Sequence, residues 1–344
     1  MTLQLLFLAA LTGLAPVGGD PVPAAATRAG AGNPSLVEGS FRVDRGAAVS
    51  LWVPPDERLE FEVHVDLGIL GEVQAGTVTM RSGLEPFVAG LPRPGESLGQ
   101  RPLVGWVSIR ARGEHLGYEL DHTMTTRFLP QAYPRIVATE VQKGSEHRQR
   151  ELKLGPQGEA WAVTYRSDGH CRDCTRREHY VEAALPWNAD HHCGKCKRAE
   201  HRLWGQARER EVPKQAIDIL GAVYLARDLV RGGRDSMQLA MLQKDNLWDV
   251  TLTRGRRAEV EASDGRYACR EVRLSVAIPE GEPDDGRSFS GLFGIKGDLK
   301  IWLHESTGVP VMIEGDVPVG DILDLHATVR LASHRGTPAA FLAE

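Results

Sequence analysis

At 344 residues, with 41 Lys and Arg against 46 Asp and Glu, the chain is long enough to bury a full core and carries a formal charge of −5. The length admits about two domains or a single large β domain, and the near balance of charge excludes the basic footprint of a nucleic-acid-binding protein. Even the Arg/Lys-rich stretch from Arg198 to Arg210 holds Glu200 and Glu209, with Glu211 just beyond, and reads as a solvated surface.

The chain opens on Met1-Thr-Leu-Gln-Leu-Leu-Phe-Leu-Ala-Ala-Leu-Thr-Gly-Leu-Ala15, an apolar run of signal-peptide length that is too short for a membrane span. Ala15, Gly18 and Gly19 supply small residues for cleavage, so residues 1–19 are expected to be a signal peptide and the protein periplasmic or secreted. No Lys or Arg precedes the run, which leaves the terminal amine as its positive end, and no Cys follows it as a lipoprotein signal requires. Residues 20–34 are dominated by Ala, Gly and Pro and form a linker without a core. No other segment is apolar enough to span a membrane.

The body, residues 35–333, reads as β structure, and residues 334–344 as a tail. Leu59, Phe61, Val63, Val65 and Leu67 alternate with Glu60, Glu62, His64 and Asp66, the period of a strand with one buried face. Val73 to Met80 pairs with it across Gly68-Ile-Leu-Gly71. Val104 to Ala111 and Tyr118 to Phe128 continue the pattern around a turn at Arg112-Gly-Glu-His115.

Between residues 167 and 206 the strand periodicity stops and two short cysteine pairs appear. Cys171 and Cys174 form one C-x-x-C, and Cys193 and Cys196 the second, with eighteen residues between the pairs. Two residues between thiolates let one tight turn aim both sulfurs at a point, and two such turns complete the tetrahedral S₄ set of a structural Zn²⁺ site. Gly194 suits the knuckle turn of the second pair. His170, His179, His191, His192 and His201 crowd the same stretch; taken singly, each has the ordinary reading of a solvated loop residue. In an oxidising compartment the alternative is two disulfides, with no metal. Thr175 and Lys197 follow the pairs where a c-type haem needs His, and no βαβ pattern suggests a catalytic dithiol. The segment is too polar to fold unaided, so a metal would supply the core of a zinc-knuckle-like insertion.

One helix follows. Ile217, Leu220, Val223 and Tyr224 recur at helical spacing between Pro213 and the break at Gly232-Gly233. A lone amphipathic helix among strands plugs the open face of a curved sheet. Asp218 and Arg227, nine residues apart on it, read as serving capping or an ion pair near the helix ends rather than as catalytic groups. Strands resume at Met237 to Met241, Leu247 to Leu252, Ala258 to Ala262 and Tyr267 to Val276, then at Leu299 to Leu303, Val309 to Ile313 and Leu323 to Leu331. This spacing predicts an antiparallel meander: a sandwich, barrel or strongly curved sheet.

Other candidate groups read as structural. Cys269 falls in an alternating run and reads as a buried thiol. Asp284-Asp-Gly286 is a solvated turn, His304-Glu305 belongs to a hairpin, and Glu60, Glu62 and Asp66 form the wet face of a strand. Gly-rich phosphate loops, Gly-x-Ser-x-Gly and His-Glu-x-x-His are absent, and no nucleophile, base and orienter assemble.

Three stretches carry a family likeness: Leu59 to Val73 followed by Gly76-Thr-Val-Thr-Met80; Pro213 to Arg227; and Leu299-Lys-Ile-Trp-Leu-His-Glu-Ser-Thr-Gly-Val-Pro-Val-Met-Ile313 followed by Val319-Gly-Asp-Ile322. They frame residues 56 to 333 and resemble the bacterial exported family known as domain of unknown function 3108. The cysteine insertion departs from that pattern. The resemblance implies an envelope location and a mainly β fold, an antiparallel curved sheet or open barrel like that of lipoprotein carriers, with one helix packed in it. It brings no catalytic residues. The resulting expectation is a non-enzymatic envelope protein that binds a lipid or other hydrophobic ligand, or an envelope protein, through a concave β surface. An interaction scaffold without a small ligand and a metal-dependent enzyme are the alternatives.

Overall fold

The computed structural model describes residues 40–42, 53–68, 71–86, 103–115, 118–129, 135–144, 148–168, 170–171, 202–284, 286, 289, 291–292, 295–319 and 323–336. The expected signal peptide, linker and C-terminal tail lie outside them, the tail except for its first three residues. In chain order the strands are β1 (Ser40–Arg42), β2 (Arg58–Asp66), β3 (Glu72–Pro86), β4 (Leu103–His115), β5 (Tyr118–Phe128), β6 (Ile136–Gly144), β7 (Arg148–Gln157), β8 (Ala160–Ser167), β9 (His170–Cys171), β10 (Arg202–Leu203), β11 (Arg208–Glu211) and β12 (Ile217–Asp218). Helix α1 (Ile219–Arg231) comes next, followed by β13 (Ser236–Gln243), β14 (Asn246–Ala262), β15 (Gly265–Ala277), β16 (Lys296–His304), β17 (Pro310–Val319) and β18 (Leu323–Arg335).

All but β9 and β10 belong to one curved sheet that does not close, in the order β1-β13-β14-β15-β16-β17-β18-β2-β3-β4-β5-β6-β7-β8-β11, with β12 also on β13. It is two meanders, β2 to β8 and β13 to β18, joined where β18 pairs antiparallel with β2. β1 and β12 run parallel to β13, and the other pairings are antiparallel. The far edge strand β11 approaches the β13–β14 turn through side chains: Arg208 donates to the Asp245 carboxylate at 3.0 Å, and Arg210 to the Asp245 carbonyl at 3.3 Å.

α1 lies in the concavity. Every one of its residues is buried except Asp228 and Arg231, so it is covered on all sides rather than along one stripe. The predicted helical set is corrected at one end: Ile217 sits on β12, and the helix starts at Ile219 because Asp218 caps it, its Oδ1 accepting from the Gly221 N–H at 2.9 Å. Gly308, at φ 70°, lets the β16–β17 turn lie against the helix; a Cβ there would stand 3.1 Å from the Arg227 carbonyl oxygen.

Two further expectations are corrected. Arg112 to His115 remain in β4, so the turn to β5 comes later. Leu247 to Leu252 and Ala258 to Ala262 are one strand, β14, whose register shifts between Arg254 and Arg257; the bulge is how two runs in different phase share one ladder.

Candidate functional site

The cysteine segment begins and ends on a two-stranded ladder. Cys171 pairs with Arg202 and His170 with Leu203, and the Gly205 N–H donates to the Ser167 carbonyl at 2.7 Å. This ladder follows the β8–β11 pairing, so residues 171 and 202, which bound the undescribed part of the segment, lie side by side near the edge of the sheet. Cys174, Cys193, Cys196, His179, His191, His192 and His201 lie outside the described residues, among which no three His, Cys, Asp or Glu side chains form a metal-binding group. Next to β10, Trp204 is 43% exposed, with the Arg166 guanidinium 4.5 Å from its ring centre.

The other groups singled out in the sequence have structural partners. Cys269 is buried, and that burial, reinforced by the Glu305 charge, pushes its thiol up to about 12. His304 Nδ1 lies 2.8 Å from Thr307 Oγ1 inside its turn, and Glu305 binds Arg257 at 2.6 Å and Arg270 at 3.0 Å. Glu60 accepts from Ser333 and Arg58, Glu62 from Ser263, and Asp66 from the Gly68 N–H. Asp284 Oδ1 accepts from the Gly286 N–H at 3.3 Å, a turn contact.

Arg227 and Asp218 pin α1 to the sheet. The Arg227 guanidinium donates two parallel bonds to Glu57 at 2.6 and 2.7 Å, with both side chains 1% exposed. Burial opposes the Arg227 charge, but Glu57 more than offsets it and the pKa lies above the ordinary value. The guanidinium also stands 4.9 Å from the Tyr224 ring centre. At the other end Asp218 accepts from the Thr126 hydroxyl on β5 as well as capping the helix. Its carboxyl is raised by burial.

Beyond the N-terminal end of α1 the concave face turns polar, a feature absent from the sequence reading. Thr126 touches Asp218, so alternation places Met124 and His122 on the same face of β5. Register carries that face to Glu140 and Gln142 on β6, Arg148 and Arg150 on β7, and Tyr165 on β8. Glu140 accepts from Arg150 at 2.7 and 2.9 Å, and His122 Nε2 lies 3.1 Å from it. Burial disfavours the Glu140 charge, yet Arg150 and His122 outweigh it and hold the carboxyl well below the usual carboxylate range. Arg208 stacks 5.2 Å from the Tyr165 ring centre. The cluster is a set of paired charges and hydrogen bonds on the concave face.

No family model matches the chain, and no curated protein matches it. The resemblance to domain of unknown function 3108 therefore gains no support from a family model. A crystal structure from Bacteroides fragilis NCTC 9343, described as that of a candidate exported protein with a YmcC-like fold, aligns with 83% of this chain and 100% of its own at 9% identity and a TM-score of 0.28. At that TM-score the likeness carries no argument. Among the described residues no helix is long and apolar enough to cross a membrane.

Proposed function

We propose that this protein is a non-enzymatic, exported envelope protein that works as an interaction scaffold, with the cysteine segment as its docking module. The carrying observation is that, among the described residues, α1 occupies the apolar part of the concavity. A pocket beside the helix, lined by Phe61, Met80, Ile109, Val223 and Val329 among others, has a volume of about 10 Å³. That is roughly the room of one water molecule. An acyl chain would need α1 to move out, against the Glu57–Arg227 pair and the helix's buried side chains. The apolar Leu3 to Leu14 run supports export, and the paired spacing of Cys171, Cys174, Cys193 and Cys196 supports one structural Zn²⁺. A complete S₄ set leaves no open coordination position, which weighs against a metal-dependent enzyme.

Native mass spectrometry of the protein purified from its own envelope tests this. The expected mass is the chain without its N-terminal apolar run plus one zinc, with no co-purifying lipid. A bound lipid would overturn the scaffold reading in favour of a carrier. A metal-free chain four hydrogens lighter would replace the zinc with two disulfides.

A further inference from the structure

We infer that β11 is a strap that arginine side chains fasten across the open edge of the sheet, and that rising ionic strength releases it. The device belongs to the sheet and stands apart from the scaffold reading. Neighbouring strands of the sheet are joined by backbone ladders, and their order ends at β11 on one side and at β1, beside β13, on the other. β11 itself is laddered to β8 over four residue pairs, Arg208 to Glu211. Across the gap to the second meander the join is made from side chains. Arg208 donates to the Asp245 carboxylate at 3.0 Å and Arg210 to the Asp245 carbonyl at 3.3 Å, and Arg210 also donates to both Glu282 oxygens, at 2.5 and 3.3 Å. Asp245 stands in the β13–β14 turn, and Glu282 in a turn beyond β15 where its N–H donates to the Pro279 carbonyl at 3.1 Å. Two turns of one meander therefore hold the last strand of the other.

The balance of forces makes the strap releasable. β11 reads Arg-Glu-Arg-Glu and has no apolar side chain to bury, so beyond its short ladder only charge fixes it. Its ion pairs face solvent: Arg208 is 63% exposed, and Arg210 and Glu282 are 29% and 21%. Salt screens such pairs, because the Debye length shrinks from about 10 Å at 0.1 M to about 3 Å at 1 M. On either side the chain is held differently. Val163 and Tyr165 on β8 and Val212 just after β11 are buried, so release stops at this strand. It uncovers the outer edge of β8 and the ring of Tyr165, whose centre lies 5.2 Å from the Arg208 guanidinium.

Hydrogen exchange of the full chain tests this, with the β11 amides read against those of β2 in the same sample. Raising sodium chloride from a low concentration to about 1 M should speed β11 exchange at least about threefold relative to β2. Arg210→Glu, shown by circular dichroism to be folded, should exchange fast already at low salt and lose most of the salt response. Combining it with Glu282→Arg should recover slow exchange at low salt. Equal protection of β11 at both salt concentrations, or in wild type and Arg210→Glu, overturns the strap, and so does a double variant that exchanges no more slowly than the single one.

Discussion

Leu220→Asp is expected to abolish the native fold. Leu220 is 1% exposed, on a helix buried on all sides. Losing a buried leucine costs about 2–5 kcal/mol. An unpaired carboxylate in the same place adds several more, because a charge buried without a partner loses its hydration uncompensated. The sum rivals the roughly 5–15 kcal/mol that holds an ordinary domain together. The variant should be insoluble or, if recovered, lack cooperative unfolding by circular dichroism and fall quickly to limited proteolysis. A soluble variant with a wild-type melting curve would mean that the helix does not fill the concavity.

Arg227→Met is expected to cost about 3–5 kcal/mol, the usual penalty for leaving one member of a buried ion pair alone. Methionine keeps most of the apolar stem, so the loss is electrostatic: among the described residues the buried Glu57 carboxylate, 1% exposed in the wild type, keeps the Tyr224 hydroxyl, 3.5 Å away, as its remaining hydrogen-bond partner. Replacing both partners, Glu57→Leu with Arg227→Met, should recover most of that loss, since two desolvated charges vanish together. Urea unfolding of the two variants and the wild type measures this. Equal stability of Arg227→Met and wild type would show that the pair does not hold α1, and a double variant weaker than the single would show that packing rather than charge sets the cost.

Which parts of this architecture were legible in the sequence follows from where water lies. β2 was readable because its Glu60, Glu62 and Asp66 face is wet while Leu59, Phe61 and Val65 are buried, the alternation that a half-buried strand must show. β6 and β7 carry no such signal. Their inward face bears Glu140, Gln142, Arg148 and Arg150 at one end and Ile136, Leu152 and Leu154 at the other, so polar residues fall on both faces and the period of two is lost. The polar cluster was missed for the same reason: its members come from separate strands, and only register brings them together. α1 announced itself through Leu220, Val223 and Tyr224, but its all-round burial depends on how far the sheet wraps, which no local pattern encodes. Glu57 lies 170 residues before Arg227, and nothing in its neighbourhood marks it as the helix's partner. Capping or ion pairing could be read for Asp218 and Arg227 from charge near a helix terminus, but only the structure shows that Asp218 caps and Arg227 pairs with Glu57. The four cysteines were legible as a set from spacing alone, and of them the described residues place only Cys171.

Hydrogen exchange of the α1 amides tests most directly the claim that the concavity is filled and held. The account predicts that the amides of the helix's last two turns, Leu225 to Arg231, exchange as slowly as those of the central strands β2 and β18, and only through global unfolding. Fast exchange of these amides by local opening, while β2 and β18 stay protected, would contradict it. The helix would then leave the concavity readily, and the apolar face beneath it would be open to a ligand.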